Sequence, residues 1–390
     1  MRSQKRIYLD HSATTPLHPL VLEAMLPYLS QKFGNASSAH FFGNEAREGM
    51  DGAREAVADI FGCSNPDEVI FTSGGTESDN LFLKGVGFAL RRKGWGNHII
   101  TSTIEHHAIS HTCEWLAENG FEISYVPVGL SGIVEADDLR KFLRPETIIV
   151  SVMSANNEVG TIQPISEIVR AVKSFNSDIA VHTDAVQTPG HLPLNINGLG
   201  VDALSLSAHK FYGPKGVGVL YLRKETPLEP RILGGGHENN RRAGTENVAG
   251  IVGLARALQR VESTRPEKTA RLTGLRDHLI ARVLTEIPGS QLNGDQQKRL
   301  PTNANFSFAG VEGESILMAL SLQGIAVSTG SACTSGKSSF VLMAMGVDER
   351  MVNGSIRITL GEENSQEDVD VTVDALKEAV KRLRSISPLT

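Results

Sequence analysis

Apolar and polar residues alternate with two different periods along the first two thirds of the chain. Short runs rich in β-branched residues, such as EVIFT and NHIIT, are separated by stretches whose apolar residues recur with helical spacing. The strand-like runs continue as FEISYV, TIIVSV, IAVHT, ALSLS and GVGVLYL, and the helical stretches lie near 77–92, 108–118, 136–143 and 165–175. Strands that alternate with helices predict a parallel sheet covered by helices, which is an α/β fold.

The pattern changes near Glu246. Long helical sequence reaches about Glu286, and the short strand-like runs NANFSF, GIAVS and SIRITL then lie between helices. This order predicts a smaller α+β domain that the amino terminus completes. We therefore expect a large domain over residues 15–260 and a small domain formed by residues 1–14 and 261–390.

Composition and charge narrow the class of protein. The chain has 390 residues, 40% of them hydrophobic, and 38 Lys+Arg stand against 44 Asp+Glu, as in an ordinary globular protein. The net charge of -6 is mild and its signs are interspersed, which argues against direct binding to nucleic acid or to an anionic membrane. No apolar run approaches the roughly 18 residues of a membrane span, and the first residues lack the apolar core of a signal peptide. We therefore expect a cytoplasmic protein.

Residues that could bind a ligand or take part in a reaction lie just after the predicted strands, where open α/β sheets bind their ligands. The first is the glycine-bearing stretch TSGGTESDN at 72–80, which precedes a helix and can present backbone N–H groups to a phosphate. It matches neither the Walker pattern nor GxGxxG, and a turn that only caps a helix is the alternative. Further strand ends carry Glu105 and His106, then Asn157, and then Asp184 and Gln187.

The histidines of EHHAISHTCE raise the question of a metal site. His107 and His111 stand four residues apart on a predicted helix, as zinc ligands can, but no HExxH motif is present. A solvated helix face is therefore the favoured interpretation, and no metal is expected. His106, which lies nearest the strand end, is the better functional candidate.

The corner SAHKFYGPKG holds Lys210 between two apolar strands. Taken alone, Lys210 is explained by a salt bridge and Asp184 by a helix cap, since a buried carboxylate needs a partner. A phosphate-type turn, a carboxylate, a histidine and an amine at neighbouring strand ends are, however, the set that pyridoxal phosphate requires. The amine forms a Schiff base, the acid keeps the pyridine nitrogen protonated, and the turn binds the phosphate.

Two further candidates lie in the predicted small domain. Cys333 stands in STGSACTSGKSS, where a lone loop cysteine is usually inert but a thiol on a flexible, glycine-bearing segment can reach a substrate. The other two cysteines, Cys63 and Cys113, fall in or beside helical patterns and are expected to be structural, and three distant cysteines argue against a disulfide framework. Arg357 points away from its apolar neighbours in SIRITL, either to the surface or to bind a carboxylate.

Ten motifs along nearly the whole chain resemble the cysteine desulfurases of the NifS/IscS type. They are YLDHSATTP, FGNASS, TSGGTESDN, EHHA, NNEVG, HTDAVQ, SAHKFYGPKG, GGGHENNRRAGTEN, STGSACTSG and SIRITLG. The resemblance implies a pyridoxal-phosphate enzyme of fold type I, like aspartate aminotransferase. It also implies a mostly parallel seven-stranded sheet in the large domain, a smaller α+β domain, and a homodimer.

The same resemblance implies a role for each site residue. Lys210 would carry the Schiff base, Asp184 would pair with the pyridine nitrogen, and His106 would stack on the ring and move protons. Asn157 and Gln187 would contact the ring hydroxyl. The phosphate would be bound by Gly75, Thr76, Ser207, His209 and the other subunit's Thr245. Asn35 and Arg357 would bind the substrate carboxylate.

The activity implied is the conversion of L-cysteine to L-alanine, with the sulfur taken up by Cys333 as a persulfide. The sulfur would pass to an acceptor protein for iron–sulfur cluster assembly or for tRNA or cofactor thiolation. A selenocysteine lyase, or another lyase or aminotransferase of the same fold, is the alternative enzyme. A non-catalytic adaptor of sulfur assembly is the alternative of another class, against which the retention of Lys210 and Cys333 argues.

Overall fold

The computed structural model describes residues 5–329 and 338–386. The strands in this part of the chain are β1 (Ile7–Tyr8), β2 (Val69–Thr72), β3 (His98–Ser102), β4 (Glu122–Val126), β5 (Thr147–Ser151), β6 (Ala180–Asp184), β7 (Ala203–Ser207), β8 (Gly218–Leu222), β9 (Ser290–Asn293), β10 (Asn303–Phe308), β11 (Ile325–Ala326) and β12 (Ser355–Thr359). The helices are α1 (Pro19–Ser30), α2 (Phe41–Phe61), α3 (Gly75–Asn80), α4 (Gly87–Arg92), α5 (His107–Glu118), α6 (Ala136–Arg140), α7 (Ile165–Phe175), α8 (Ile196–Leu199), α9 (His237–Asn240), α10 (Val248–Ser263), α11 (Arg265–Glu286), α12 (Gly313–Ser321), α13 (Phe340–Ala344), α14 (Glu349–Val352) and α15 (Gln366–Ile386). Short 3₁₀ turns lie at Pro66–Glu68 and Ala208–Lys210, and a π-helical turn at Leu81–Val86 joins α3 to α4.

Seven strands form the large sheet, in the order β2-β8-β7-β6-β5-β3-β4. All neighbours pair in parallel except β8, which runs antiparallel to both β7 and β2. The connection from β7 to β8 spans only residues 208–217, which is too short for a crossover helix and so returns the chain antiparallel. The α/β prediction of a mostly parallel seven-stranded sheet is confirmed.

Burial explains why the central strands are continuous apolar runs. Every residue of β5, β6, β7 and β8 is buried, because helices cover both faces of the sheet and leave no solvent-facing side. The edge strand β4 is mostly exposed or half-buried. Because β5, β6 and β7 run parallel, their carboxyl ends lie at one edge of the sheet, where predicted site residues follow them.

The long helical stretch predicted after Glu246 is two helices. Helix α10 ends at Ser263 and α11 begins at Arg265, with Pro266 in its first turn. Proline lacks an N–H donor and is favoured at the start of a helix, so it marks a new start here. The predicted domain boundary at 260/261 falls just before the end of α10.

The remaining strands form two small sheets. An antiparallel sheet has the order β12-β10-β9, and β1 pairs in parallel with β11. The buried apolar residues of this region form their own cluster, drawn from Ile7 and Leu9 and from residues 272–380. This distribution supports our proposal of a small domain built from both ends of the chain. None of the described helices is long and apolar enough to cross a membrane.

Helix α10 offers a test of the large core. Leu254 is fully buried in the largest apolar cluster, in a helix that packs against α1 and α2. We expect Leu254→Ala to lower the free energy of unfolding by about 2–5 kcal/mol, because truncation leaves a cavity. Leu322→Ala is the matched control, since Leu322 is 88% exposed and should change stability by no more than about 0.5 kcal/mol. Denaturant midpoints and melting temperatures measure both, and equal shifts would contradict this packing.

Candidate active site

A cavity of about 320 Å³ lies at the carboxyl ends of the large sheet. The predicted site residues that line it are Gly75, Thr76, His106, Asn157, Asp184, Gln187, Ser207, His209, Lys210 and Arg357. Two predicted residues, Asn35 and Thr245, are exposed and do not line it. Cys333 lies outside the described residues. The structure therefore gathers residues from most of the predicted strand ends around one space.

Lys210 is held by the backbone of the amino-terminal segment. It ends the short 3₁₀ turn after β7, and its Nζ donates to the carbonyl oxygens of Ser12 at 2.5 Å and of Ala13 at 2.9 Å. Gln187 Nε2 donates to the same Ser12 oxygen at 3.1 Å. These carbonyls aim the amine at the cavity. Sequence reasoning missed them, because a backbone oxygen carries no mark of residue type.

Asp184 ends β6 and is buried at the cavity wall. Its Oδ1 accepts a hydrogen bond from the Val186 backbone N–H at 2.9 Å. Burial raises the pKa of Asp184 to about 6, although the Val186 N–H and the Lys210 charge favour the ionised form. A further cation or N–H donor in the cavity would hold the carboxylate charged.

The backbone of the turn before α3 is closely packed at its glycines and is open to a ligand on the cavity side. A Cβ on Gly75 would lie 2.7 Å from Val186 Cγ2, and one on Gly218 would lie 2.6 Å from the Gly74 backbone, so neither position accepts a side chain without movement. Glu77 Oε2 accepts from the Ser73 N–H at 2.7 Å and fixes the start of the turn. The free N–H groups of a helix start, with the nearby hydroxyls, suit a phosphate.

His106 is a neutral base in this setting. It caps α5, and its Nδ1 accepts from the Ala108 N–H at 3.1 Å, which places the ring proton on Nε2. Burial, and then the Lys210 charge, lower the pKa of His106 to about 4. The imidazole therefore stays uncharged at neutral pH.

Arg357 reaches the cavity from β12 and is almost fully buried. Its Nη1 donates to the Asn157 carbonyl oxygen at 3.0 Å and its Nη2 to Asp10 Oδ1 at 2.7 Å. Its Nε–H finds no acceptor within the described part of the chain. The guanidinium thus retains a donor for an anionic ligand, which fits a substrate carboxylate. Asp10, which orients it, was not predicted.

Two more buried carboxyls lie near the site: Glu105, which the sequence placed after a strand without a role, and Asp79, which was not predicted. Glu105 accepts from the Met153 N–H at 3.1 Å through each oxygen and from the Ser102 hydroxyl, and burial raises its pKa to about 8. Asp79 lines the cavity, and burial, together with Asp184, raises its pKa well above the usual value. Asp79 stands in TSGGTESDN within α3, and Glu105 stands in EHHA three residues after β3, so only Glu105 carried the signal of a carboxylate near a buried strand end.

The histidine pair has a packing role. The rings of His107 and His111 stack at 4.6 Å, and Phe340 packs on His107 at 4.7 Å. Among the described residues, no three His, Cys, Asp or Glu side chains are grouped to hold a metal ion.

The cavity fits pyridoxal phosphate on its donor set. A buried carboxylate that needs a cationic partner suits the pyridine nitrogen, and a glycine turn with no room for side chains suits the phosphate. A lysine amine held toward the same space completes the set.

Glu105 gives a test by pH. Because its folded pKa lies near 8 and its ordinary value is 4.5, the folded protein binds an extra proton between these values. Stability should therefore fall as pH rises from about 5 to 8, by at most about 1.4 kcal/mol per pH unit. Glu105→Gln should flatten this slope, whereas Glu118→Gln, at an exposed position of α5, should keep it. Melting temperatures across that range measure the slopes, and an unchanged slope in Glu105→Gln would refute the assignment.

Comparisons with known proteins agree with this site. Residues 7–372 match the family described as aminotransferase class-V. The cysteine desulfurase IscS of Dictyoglomus turgidum is 54% identical over 387 residues, which cover 99% of this chain and 97% of that protein. A solved NifS-like protein superposes with a TM-score of 0.92 at 41% identity, covering 97% of this chain and all of that one. A structure described as SspA in complex with cysteine has a TM-score of 0.79 at 36% identity, covering 91% of this chain and 99% of that one. The chain belongs to the pyridoxal-phosphate-dependent class-V aminotransferases, among the cysteine desulfurases of the NifS/IscS type.

Proposed function

We propose that this enzyme removes sulfur from L-cysteine, releases L-alanine and carries the sulfur as a persulfide on Cys333. The observation that carries the proposal is that the Lys210 amine, the Asp184 carboxylate and the Arg357 guanidinium line one cavity beside a glycine turn. The relatives named cysteine desulfurase, and the structural neighbour described in complex with cysteine, support the substrate.

Each cofactor contact is assigned to a residue of the cavity wall. Lys210 would hold the cofactor covalently through its amine, and Asp184 would accept a hydrogen bond from the pyridine nitrogen. When bound, pyridoxal phosphate supplies an electron sink that weakens bonds at the carbons of the amino acid. Asn157 and Gln187 would contact the ring hydroxyl, and His106 would lie against the ring face. The phosphate is assigned to Gly75, Thr76, Ser207 and His209.

The substrate is oriented by its carboxylate. Arg357 would bind that carboxylate through its remaining N–H. Asn35 does not line the cavity in this structure, so its help would require a movement towards Arg357. His106 is neutral before the reaction and carries its proton on Nε2. It would exchange this proton with a reacting group. Lys210 would be the second proton carrier, because its amine lies at the same cavity.

Cys333 is the proposed sulfur acceptor. Its thiolate would form an S–S bond with the substrate sulfur while the carbon–sulfur bond breaks. The electron pair of the broken bond would stay with the carbon skeleton, which takes up a proton and leaves as alanine. The other cysteines are poor alternatives, because burial raises the pKa of Cys63 and of Cys113 to about 12 and keeps both as thiols.

A homodimer is part of the proposal. Exposed large apolar side chains are frequent from just before α1 to the first turn of α2, and two more lie at 232–233; they are Leu17, Leu20, Leu22, Leu26, Leu29, Phe33, Phe41, Phe42, Ile232 and Leu233. Patches of this kind mark protein interfaces. Thr245 is exposed in its own chain and would complete the phosphate site of the other subunit.

The sulfur would pass to a protein acceptor, in iron–sulfur cluster assembly or in tRNA or cofactor thiolation. We infer that this takes place in the cytoplasm, since a reducing compartment preserves the free thiol that the reaction needs.

Replacing the acceptor thiol tests the reaction. With L-cysteine and a reductant, we expect Cys333→Ala to lower alanine and sulfide release by at least roughly a hundredfold, because the covalent route needs the nucleophile. Mass spectrometry of the wild type after incubation with L-cysteine should map one added sulfur atom to Cys333. Cys63→Ala is the control and should retain both results. Turnover of Cys333→Ala at the wild-type rate would remove this residue from the mechanism.

The lysine assignment is tested by colour. The purified wild type should be yellow, and Lys210→Ala should lose the visible absorption band of the lysine-linked cofactor, because no other lysine lines the cavity within the described residues. Lys215→Ala, at an exposed position five residues away, should keep the band. A Lys210→Ala protein with the wild-type band would show that another group holds the cofactor.

A further inference from the structure

Three consecutive residues of the chain have left-handed backbone conformations. The φ angles of Glu238, Asn239 and Asn240 are 45°, 55° and 63°. Asparagine tolerates this region, whereas glutamate adopts it at a cost in free energy, and such strain persists only where the surroundings hold it. The residues lie in a segment, 237–245, that we call the strut segment; it ends at Thr245.

One anchor of the strut segment is a buried ion pair. Glu238 binds Arg54 in a two-pronged pair, with distances of 2.7 and 2.9 Å, and accepts from the Phe71 N–H at 3.0 Å. The side chains of Arg54 and Glu238 are 12% and 3% exposed. Arg54 also donates to the Val69 carbonyl oxygen at 2.6 Å. Glu238 is thereby fixed to β2, the strand that leads into the phosphate turn.

A second anchor lies on the other side of the same turn. Arg242 Nε donates to Glu77 Oε1 at 2.8 Å and its Nη2 to Oε2 at 3.2 Å. Glu77 Oε2 in turn accepts from the Ser73 N–H at 2.7 Å. The strut segment therefore contacts both sides of the phosphate turn of its own subunit, through β2 and through Glu77. Thr245, three residues after Arg242, is exposed and is not among the residues that line the cavity of its own chain.

We propose that the strut segment couples the two cofactor-phosphate sites of the dimer. This rests on the proposed function, in which Thr245 completes the partner's phosphate site. A phosphate that orders the turn of one subunit holds Glu77 and β2 in place, and these hold the strut segment and its Thr245. The partner's site is then already formed, so cofactor binding at one site favours binding at the other. Arg242 and Glu238 are positioning residues in this scheme.

A mixed dimer tests whether the strut segment of one subunit supports the cofactor site of the other, as the coupling requires. One protomer is wild type and its partner carries Lys210→Ala with Arg242→Gln, so that the visible band of lysine-linked cofactor reports the wild-type site alone. Cofactor titration of this dimer, freed of cofactor, should give an affinity roughly tenfold weaker than a control dimer carrying Lys210→Ala with Arg265→Gln. Arg265 pairs with Glu262 at similar burial, away from the cavity.

The homodimers complete the test. Wild-type titration should have a Hill coefficient above 1, and Arg242→Gln should bring it to 1, while Arg242→Lys should restore part of the difference. Where Arg242→Gln fails to fold, Glu238→Gln takes its place, since its glutamine side chain still accepts from the Phe71 N–H. Equal affinities in the two mixed dimers, or a chain that stays monomeric, would overturn the proposal. Alanine release by the saturated wild type tests the desulfurase function separately, because the titration needs no turnover.

Discussion

The arrangement of the molecule depends on an amine and a carboxylate that meet at the open edge of a buried sheet. Asp184 can be ionised there only with a compensating charge, and Lys210 can face the cavity only because two carbonyl oxygens receive its hydrogens. The sheet supplies rigid ends for both, since β6 and β7 are adjacent and fully buried. A small set of polar groups in an apolar frame thus has its geometry fixed before any ligand arrives.

Burial favours the uncharged form of several titratable groups at the site. Burial lowers the pKa of His106 to about 4 and raises the pKa of Glu105 to about 8, and burial together with Asp184 raises the pKa of Asp79. Beside these groups lies the ion pair of Arg357 with Asp10. In a site of low polarity, each remaining charge acts more strongly on a reacting molecule than it would in water.

Much of this was available in the sequence, and the reasons for the rest are physical. Strand-end positions identified Asp184, His106 and Lys210, because buried parallel strands are long apolar runs and their ends stand out. The Ser12 and Ala13 carbonyls left no trace in residue type. The break before α11 was signalled by Pro266, but helical periodicity on both sides concealed it. Thr245 lies away from the cavity of its own chain, so no argument from a single subunit locates it.

The amino-terminal contact to Lys210 has a consequence for how the two ends of the protein communicate. Residues 7–8 pair with β11, the Ser12 N–H donates to Thr359 on β12, and the Ser12 carbonyl accepts from Lys210. A ligand that binds the Lys210 nitrogen removes a hydrogen-bond donor from the amino-terminal segment. The forms with and without ligand should then differ in how firmly the carboxyl-terminal third of the chain is held against the large sheet. Ligand binding would thus change the rigidity of residues far from the ligand.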